Sequence, residues 1–84
     1  MTRFWPTGMP ITVAADALAA PQAFTWDSAT HPVDRIFKRW RVDQLWWRVR
    51  VCREYFLVRT HTGLLVMLYR DVLGGAWYLQ RLYD

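Results

Sequence analysis

Apolar and polar residues alternate with a period of two through the middle of this chain, the spacing typical of β-strands. Over residues 33–42, one set of alternate positions comprises Ile36, Lys38, Trp40 and Val42, and the other comprises Arg35, Phe37, Arg39 and Arg41. A helix is the competing interpretation, because neither Gly nor Pro interrupts the segment. The alternation of arginine with aromatic residues fits 180° per residue better than 100°, so we predict a strand.

Other segments also have the composition of short strands, at residues 11–13, 22–26, 46–59, 64–69 and 76–83. Turns are predicted between them at residues 27–30, around Asp43, at residues 60–63 and at residues 74–75. The period of two loses phase near Arg53, which predicts a β-bulge there. Pro10 precedes the β-branched residues Ile11, Thr12 and Val13, which favours an edge strand.

The pattern therefore predicts an all-β fold, a small antiparallel barrel or strongly bent sheet of five or six strands, with an SH3-like barrel as the first choice. The 84 residues have the length of one small domain, and fourteen aromatic side chains supply a dense core. We expect residues 1–10 to be a flexible N-terminal arm and residues 11–84 to form a single small β domain.

Cysteine content and apolar runs bear on the compartment. Cys52 is the only cysteine, which excludes an internal disulfide and favours a reducing environment. The longest purely apolar run, residues 64–68, is far shorter than the ~20 residues that a transmembrane helix needs. The first residues also lack the pattern of a signal peptide. We expect a cytoplasmic protein with no membrane partner.

Sequence motifs for catalysis are not found. No glycine-rich phosphate loop is present, and His31, His61 and Cys52 do not have the spacing of a zinc site. Cys52 precedes Arg53, which would favour a thiolate, but a cysteine in mid-strand is more often an inert packed thiol. We therefore expect a non-enzyme that needs no metal or other cofactor.

Positive charge is concentrated in the centre of the chain. Residues 35–59 hold eight Lys and Arg and two Asp and Glu, a net charge of +6 within a chain of net charge +4. Such a segment attracts a polyanion or an acidic protein surface, although it is equally well explained as a basic surface without a specific ligand.

A binding site is predicted where arginines and tryptophans meet, and its residues are Arg39, Arg41, Trp46, Arg48 and Arg50. If the strands on either side of Asp43 pair as a hairpin, their arginines become neighbours, which costs free energy unless an anion or an aromatic face compensates. Guanidinium groups bind phosphates or carboxylates, and an exposed Trp stacks on a nucleobase. The alternative is that Trp40 and Trp47 are core residues and that arginine packs over Trp46.

Several parts of the sequence are similar to a known family. The parts are residues 40–43 (WRVD), 46–47 (WW), 53–58 (REYFLV), 62–63 (TG), 68–71 (LYRD) and 77–84 (WYLQRLYD). Over residues 22–84 the chain resembles a short bacterial domain of unknown function. That domain occurs as standalone proteins and at the C-terminus of ImuB-like proteins, which are related to Y-family DNA polymerases. The resemblance implies a role in translesion DNA synthesis and supplies no catalytic residues.

Two functions from different classes remain open. The first is a non-catalytic protein-interaction accessory in bacterial translesion DNA synthesis and DNA damage tolerance, with a Y-family polymerase-like protein as partner. It would bind through the arginine and tryptophan face or by adding a strand at the Ile11 edge. The alternative is a nucleic-acid-binding β-barrel that holds single-stranded DNA with the same face. An unpaired edge strand would also permit a homo-oligomer.

Overall fold

The computed structural model describes residues 3–18, 20–46 and 48–83, except for the side chains of Trp46 and Val49. Six strands make up the fold: β1 (Arg3–Ala15), β2 (Pro21–Trp26), β3 (Ala29–Trp46), β4 (Val49–Thr60), β5 (Leu65–Asp71) and β6 (Trp77–Tyr83). Each strand pairs antiparallel with its neighbours in sequence, and β1 pairs with β6 to close the barrel.

The prediction of an all-β antiparallel barrel is therefore confirmed, with six strands. The narrower SH3-like assignment stays a prediction. Within the described residues there is no helix that is long and apolar enough to cross a membrane.

The N-terminal segment differs from its prediction as a flexible arm. Arg3 pairs with Leu82 of β6, so residues 3–10 are part of β1, while Met1 and Thr2 lie outside the described residues. The prediction of an edge strand at residues 11–13 is also wrong, because Ile11 pairs with β6 and Thr12 pairs with β2. The aromatic residue Trp5 explains the difference, since it packs against the core and orders the segment that carries it.

The core lies inside the barrel and consists of inward-facing residues of the strands. Its buried members are Phe24, Phe56, Val58, Val66, Leu68, Leu79 and Leu82. Burial of each such side chain contributes about 1.5–3 kcal/mol to folding. In β4 the buried positions run Cys52, Glu54, Phe56, Val58 and Thr60, so the period of two continues unbroken through the place where the sequence suggested a loss of phase.

The hairpin formed by β3 and β4 corrects two predictions. Asp43 is not in a turn, because it lies opposite Cys52 and β3 continues to Trp46, which pairs with Val49. The register of β4 shows no irregularity near Arg53. The two register shifts lie on β3 instead. One falls between Val33 and Arg35, and the other falls between Ile36 and Lys38.

The outer face of the sheet carries a row of aromatic rings. Trp40 and Tyr55 are in edge contact with a centroid distance of 5.3 Å, and Tyr55 and Tyr69 are in edge contact at 5.4 Å. Tyr69 then stacks on Tyr78 at 4.9 Å. The β1 backbone covers the end of this row, where the Tyr69 hydroxyl donates a hydrogen bond of 2.7 Å to the carbonyl oxygen of Thr7. The row joins β3, β4, β5, β6 and β1.

The hairpin also extends past its neighbours. β2 pairs with β3 only through Ala29–Pro32, and the β4–β5 ladder reaches no further along β4 than Arg53. Beyond these points the described residues give β3 and β4 ladders only with each other, apart from one hydrogen bond from the N–H of Val72 to the carbonyl oxygen of Cys52. Residues 43–52, called the ribbon below, therefore project from the barrel as a two-stranded extension.

Candidate functional site

Three of the predicted site residues lie on the hairpin, on one face of it. Arg39 and Arg41 occupy alternate positions of β3, and Arg50 lies on β4 on the same face. Arg48 is exposed in the turn that joins the strands. Trp46 ends β3, but its side chain lies outside the described structure, as does Trp47.

The predicted register of the arginines is wrong. Because β3 extends to Trp46, Arg41 lies opposite Glu54 rather than beside Arg50, and Arg39 lies opposite Phe56. The guanidinium carbon of Arg39 lies 5.1 Å from the centroid of the Phe56 ring. The arginines are therefore separated by a carboxylate and an aromatic ring of their own chain.

Glu54 is the centre of the site, although the sequence analysis did not single it out. Its Oε1 lies 3.0 Å from Nη2 of Arg39 and 3.8 Å from Nη2 of Arg70, and its Oε2 lies 3.6 Å from Nη2 of Arg41. The Glu54 side chain is 8% exposed, whereas those of Arg39 and Arg41 are 41% and 56% exposed. A buried carboxylate thus holds two arginines whose outer parts remain in water.

The charges at this point do not balance. Three guanidinium groups surround one carboxylate, so the cluster formed by Arg39, Arg41, Glu54 and Arg70 has a net positive charge. Arg39 also donates a hydrogen bond of 3.2 Å to the carbonyl oxygen of Leu18. Because each guanidinium has five N–H donors, Arg39 and Arg41 keep donors for an external acceptor.

The arginine on the ribbon also has an internal partner. Nε and Nη2 of Arg50 donate to Oδ1 and Oδ2 of Asp43 at 3.2 and 2.9 Å, a bidentate pair. The hydrogen bond from Arg50 lowers the pKa of the Asp43 carboxyl below its ordinary value of 3.8. Carboxylates of the same chain therefore compensate the charges of Arg39, Arg41 and Arg50, and the ring of Phe56 lies beside Arg39.

Beyond Pro32, one side of β3 has no paired strand among the described residues, a feature that the sequence pattern did not indicate. The β2–β3 ladder ends at Pro32, and from Val33 onward the described residues give β3 a ladder only on its β4 side. Four cations lie along this length of strand, namely Arg35, Lys38, Arg39 and Arg41. The sequence signalled the basic strand but not its open side, because strand pairing depends on distant residues.

Cations also lie over the aromatic row of the outer face. Nζ of Lys38 is 5.3 Å from the centroid of the Trp40 ring, and the guanidinium carbon of Arg53 is 4.6 Å from that of Tyr69. Trp40 is half-buried on this outer face, so it is not the core residue that the alternative interpretation expected.

The described residues lack two other kinds of site. No pocket is found among them, and they contain no group of three or more His, Cys, Asp or Glu that is placed to hold a metal ion. Comparison of the chain with protein-family models, with curated proteins and with solved structures gave no match.

Proposed function

We propose that this chain is a non-catalytic protein-interaction module that acts as an accessory in bacterial translesion DNA synthesis and DNA damage tolerance. The biological context rests on the resemblance of residues 22–84 to the domain found at the end of ImuB-like proteins. The mode of action rests on the structure of the hairpin. Its partner is a Y-family polymerase-like protein of the same cell.

The observation that carries the proposal is the unpaired basic side of β3. An exposed strand edge offers a row of backbone donors and acceptors, and isolated proteins normally cover or blunt such an edge. Here the edge continues past Arg39, which contacts the carbonyl oxygen of Leu18, along a ribbon that projects from the barrel. Arg39 and Arg41 make this surface positive, which favours an acidic partner and excludes a basic one.

The proposal is tested by co-purification of the protein with the polymerase-like protein in dilute salt and in ~0.5 M salt. At the higher concentration electrostatic attraction is screened beyond a few ångströms, so a purely electrostatic complex dissociates. We expect the complex to survive, because backbone and apolar contacts contribute to it. If no complex forms at either concentration, the proposed function is wrong.

A matched pair of variants locates the surface. Arg41→Gln removes one charge from the open side of β3, and Arg3→Gln removes one charge from β1 on another part of the barrel. We expect Arg41→Gln to weaken the complex about tenfold and Arg3→Gln to leave it unchanged. Equal effects of the two variants would place the interface elsewhere.

A second function is supported by a separate observation, the cations over the aromatic row. Single-stranded nucleic acid is held by aromatic rings that stack on bases and by cations that contact phosphates, and Lys38 with Trp40 offers both. Fluorescence anisotropy with labelled single- and double-stranded oligonucleotides at two salt concentrations tests this function. Binding that weakens steeply with salt would favour it over the protein-interaction module.

A further inference from the structure

We propose that the open edge of β3 between Lys38 and Trp46 binds an extended acidic segment of a partner protein as an added β-strand, with acidic and apolar residues alternating along that segment. This inference rests on the proposed function, because it specifies the chemistry of the partner and how the module holds it.

Alternate backbone groups of the open edge point away from β4. The carbonyl oxygen of Cys52 accepts a hydrogen bond of 3.0 Å from the N–H of Val72, so it points away from β3. Asp43, which lies opposite Cys52, therefore belongs to a pair without mutual hydrogen bonds. Because such pairs alternate in antiparallel sheets, the N–H and C=O groups of Arg41 and Arg39 also point away from β4.

The open edge is long and regular enough for a ladder. The two register shifts of β3 lie before Lys38, and from there the pairing with β4 runs without a shift to Trp46. Residues 38–46 exceed the length of a typical strand of about 5–6 residues. Bulges discourage edge pairing by twisting a strand, and none occurs over this length.

The side chains of the edge define the sequence of the incoming strand. Arg39 and Arg41 lie on one face of β3, and Trp40 and Val42 lie on the other. Residues directly opposite each other in a sheet are in contact, so acidic residues fit opposite the arginines and apolar residues fit opposite Trp40 and Val42. Because Glu54 occupies only part of each guanidinium, the incoming carboxylates find free donors.

A second copy of the chain is a poorer occupant of this edge. Each copy brings Lys38, Arg39 and Arg41 and only one carboxylate, Asp43, along residues 38–46. Two such strands repel each other, and the repulsion is relieved when the added strand is acidic. The charge of the edge therefore discriminates between self-association and binding of an acidic segment.

The experiment uses a synthetic peptide of about nine residues that alternates Glu and Val, with Thr in place of the Glu that would face Asp43. Its affinity for the full chain is compared with that of a peptide of the same composition in which the acidic residues are grouped. We expect the grouped peptide to bind at least about tenfold more weakly, because it cannot place carboxylates opposite Arg39 and Arg41 while apolar residues meet Trp40. Equal affinities would overturn the inference.

Backbone modification separates strand addition from simple charge attraction. In the added strand, the amides of the residues opposite Arg39 and Arg41 point toward β3. N-methylation of the Glu residues should therefore abolish binding, whereas N-methylation of the Val residues should leave most of it. Equal loss, or no loss, in the two methylated peptides would contradict a hydrogen-bonded strand.

Variants at residue 43 test the same hydrogen bonds by changing β3 instead of the peptide. Asp43→Pro removes an outward N–H, and Asp43→Ala removes the same carboxylate while keeping that N–H. We expect only the proline variant to lose the peptide and the polymerase-like protein. If the polymerase-like protein binds both variants equally, the strand addition is wrong and the proposed function stands. If the peptide binds as expected while the polymerase-like protein fails to bind the unmodified chain, the proposed partner is wrong and the strand addition stands.

A dimer is the remaining outcome that the same variants detect. If the unmodified chain is dimeric in solution and Asp43→Pro alone makes it monomeric, the edge is occupied by a second copy and the inference is overturned. We expect both the unmodified chain and the Asp43→Pro variant to be monomeric.

Discussion

Nη2 of Arg39 lies 3.0 Å from Oε1 of Glu54, across the two strands of the hairpin that carries the predicted binding site. The carboxylate is buried, whereas the arginine is 41% exposed. Glu54 thus fixes the inner part of Arg39 and leaves its outer part for a ligand. The same carboxylate contacts Arg41 and Arg70, so one buried residue positions the charges of the whole cluster.

Removal of the Glu54 charge should destabilise the fold. In Glu54→Gln, three guanidinium groups remain close together without a carboxylate between them. Loss of one partner of a buried ion pair costs about 3–5 kcal/mol, and we expect a value near 3 because Arg39 and Arg41 reach water. Urea denaturation measures the change in the free energy of unfolding.

The control for Glu54→Gln is Asp43→Asn, which removes the carboxylate from the exposed pair with Arg50. Exposed ion pairs contribute little, so this variant should unfold at nearly the same urea concentration as the unmodified protein. Comparable losses in the two variants would show that Glu54 has no special role in holding the cluster together.

A side chain at residue 8 should disrupt the contact between β1 and the aromatic row. Gly8 has a φ of 84°, and a Cβ there would lie 2.7 Å from Cβ of Tyr78 and 2.8 Å from Cε2 of Tyr69. Gly8→Ala combines backbone strain of about 1–2 kcal/mol with overpacking of about 1–3 kcal/mol. We expect a loss of about 3 kcal/mol in thermal or urea unfolding.

Gly63→Ala is the control for this steric effect. Gly63 has a φ of 91°, but nothing lies within 4 Å of the position of its Cβ. The control should lose only the backbone contribution of about 1–2 kcal/mol. A Gly8→Ala protein as stable as the Gly63→Ala protein would contradict the close packing of β1 on the tyrosines.

The hydroxyl of Tyr69 should contribute to stability in a way that depends on pH. It donates a hydrogen bond to the carbonyl oxygen of Thr7, and its removal in Tyr69→Phe should cost about 1 kcal/mol at neutral pH. Burial raises the pKa of the Tyr69 phenol above its ordinary value of 10.0, although the guanidinium of Arg53 acts in the opposite direction.

A raised pKa in the folded protein means that the folded state holds this proton more tightly than the unfolded state does. The contribution of the protonated hydroxyl is therefore fully present below pH 10.0 and is lost as the pH rises through the raised pKa. Unfolding measured from pH 7 to 11 should show the unmodified protein losing its advantage over Tyr69→Phe at the alkaline end. An advantage that grows with pH would contradict the burial of the phenol.

Charge reversal on the ribbon tests the nucleic-acid alternative. Arg48→Glu with Arg50→Glu replaces the cations at the exposed tip, where neither side chain is part of the core. If the arginine face of the hairpin holds the nucleic acid, oligonucleotide binding in dilute salt should disappear while the circular dichroism spectrum stays that of a folded sheet. A double variant that binds DNA normally would exclude these arginines as phosphate contacts.

The fold class was predictable from the sequence because a period of two runs through β4 and through β3 from Lys38 onward, although the buried residues of β2 and β6 are three apart. The continuation of β3 through Asp43 was not predictable, because polar residues within an exposed ribbon resemble those of a turn. β3 continues through Asp43 since the residue is paired with Cys52 and its carboxylate is bound by Arg50. Local composition does not contain that pairing.

The site was predictable only in part. Arg39, Arg41 and Arg50 were correctly placed on one hairpin, but their carboxylate partners were missed. Glu54 has the spacing of the buried residues Phe56 and Val58, and its charge at an inner position was interpreted as a loss of phase. A charged residue in phase with a core face was the available signal. The open side of β3 had no signal in the sequence, because its extent depends on where β2 stops pairing with β3.

Hydrogen exchange of the β3 amides tests the central claim most directly, because it detects whether the edge is open and whether a partner closes it. In the free protein we predict fast exchange for the outward amides of Arg39, Arg41 and Asp43 and slow exchange for those of Trp40 and Val42, which face β4. Addition of the polymerase-like protein should slow the first set and leave the second unchanged. Outward amides that are already protected in the free protein, or that exchange equally fast in the complex, would contradict the account.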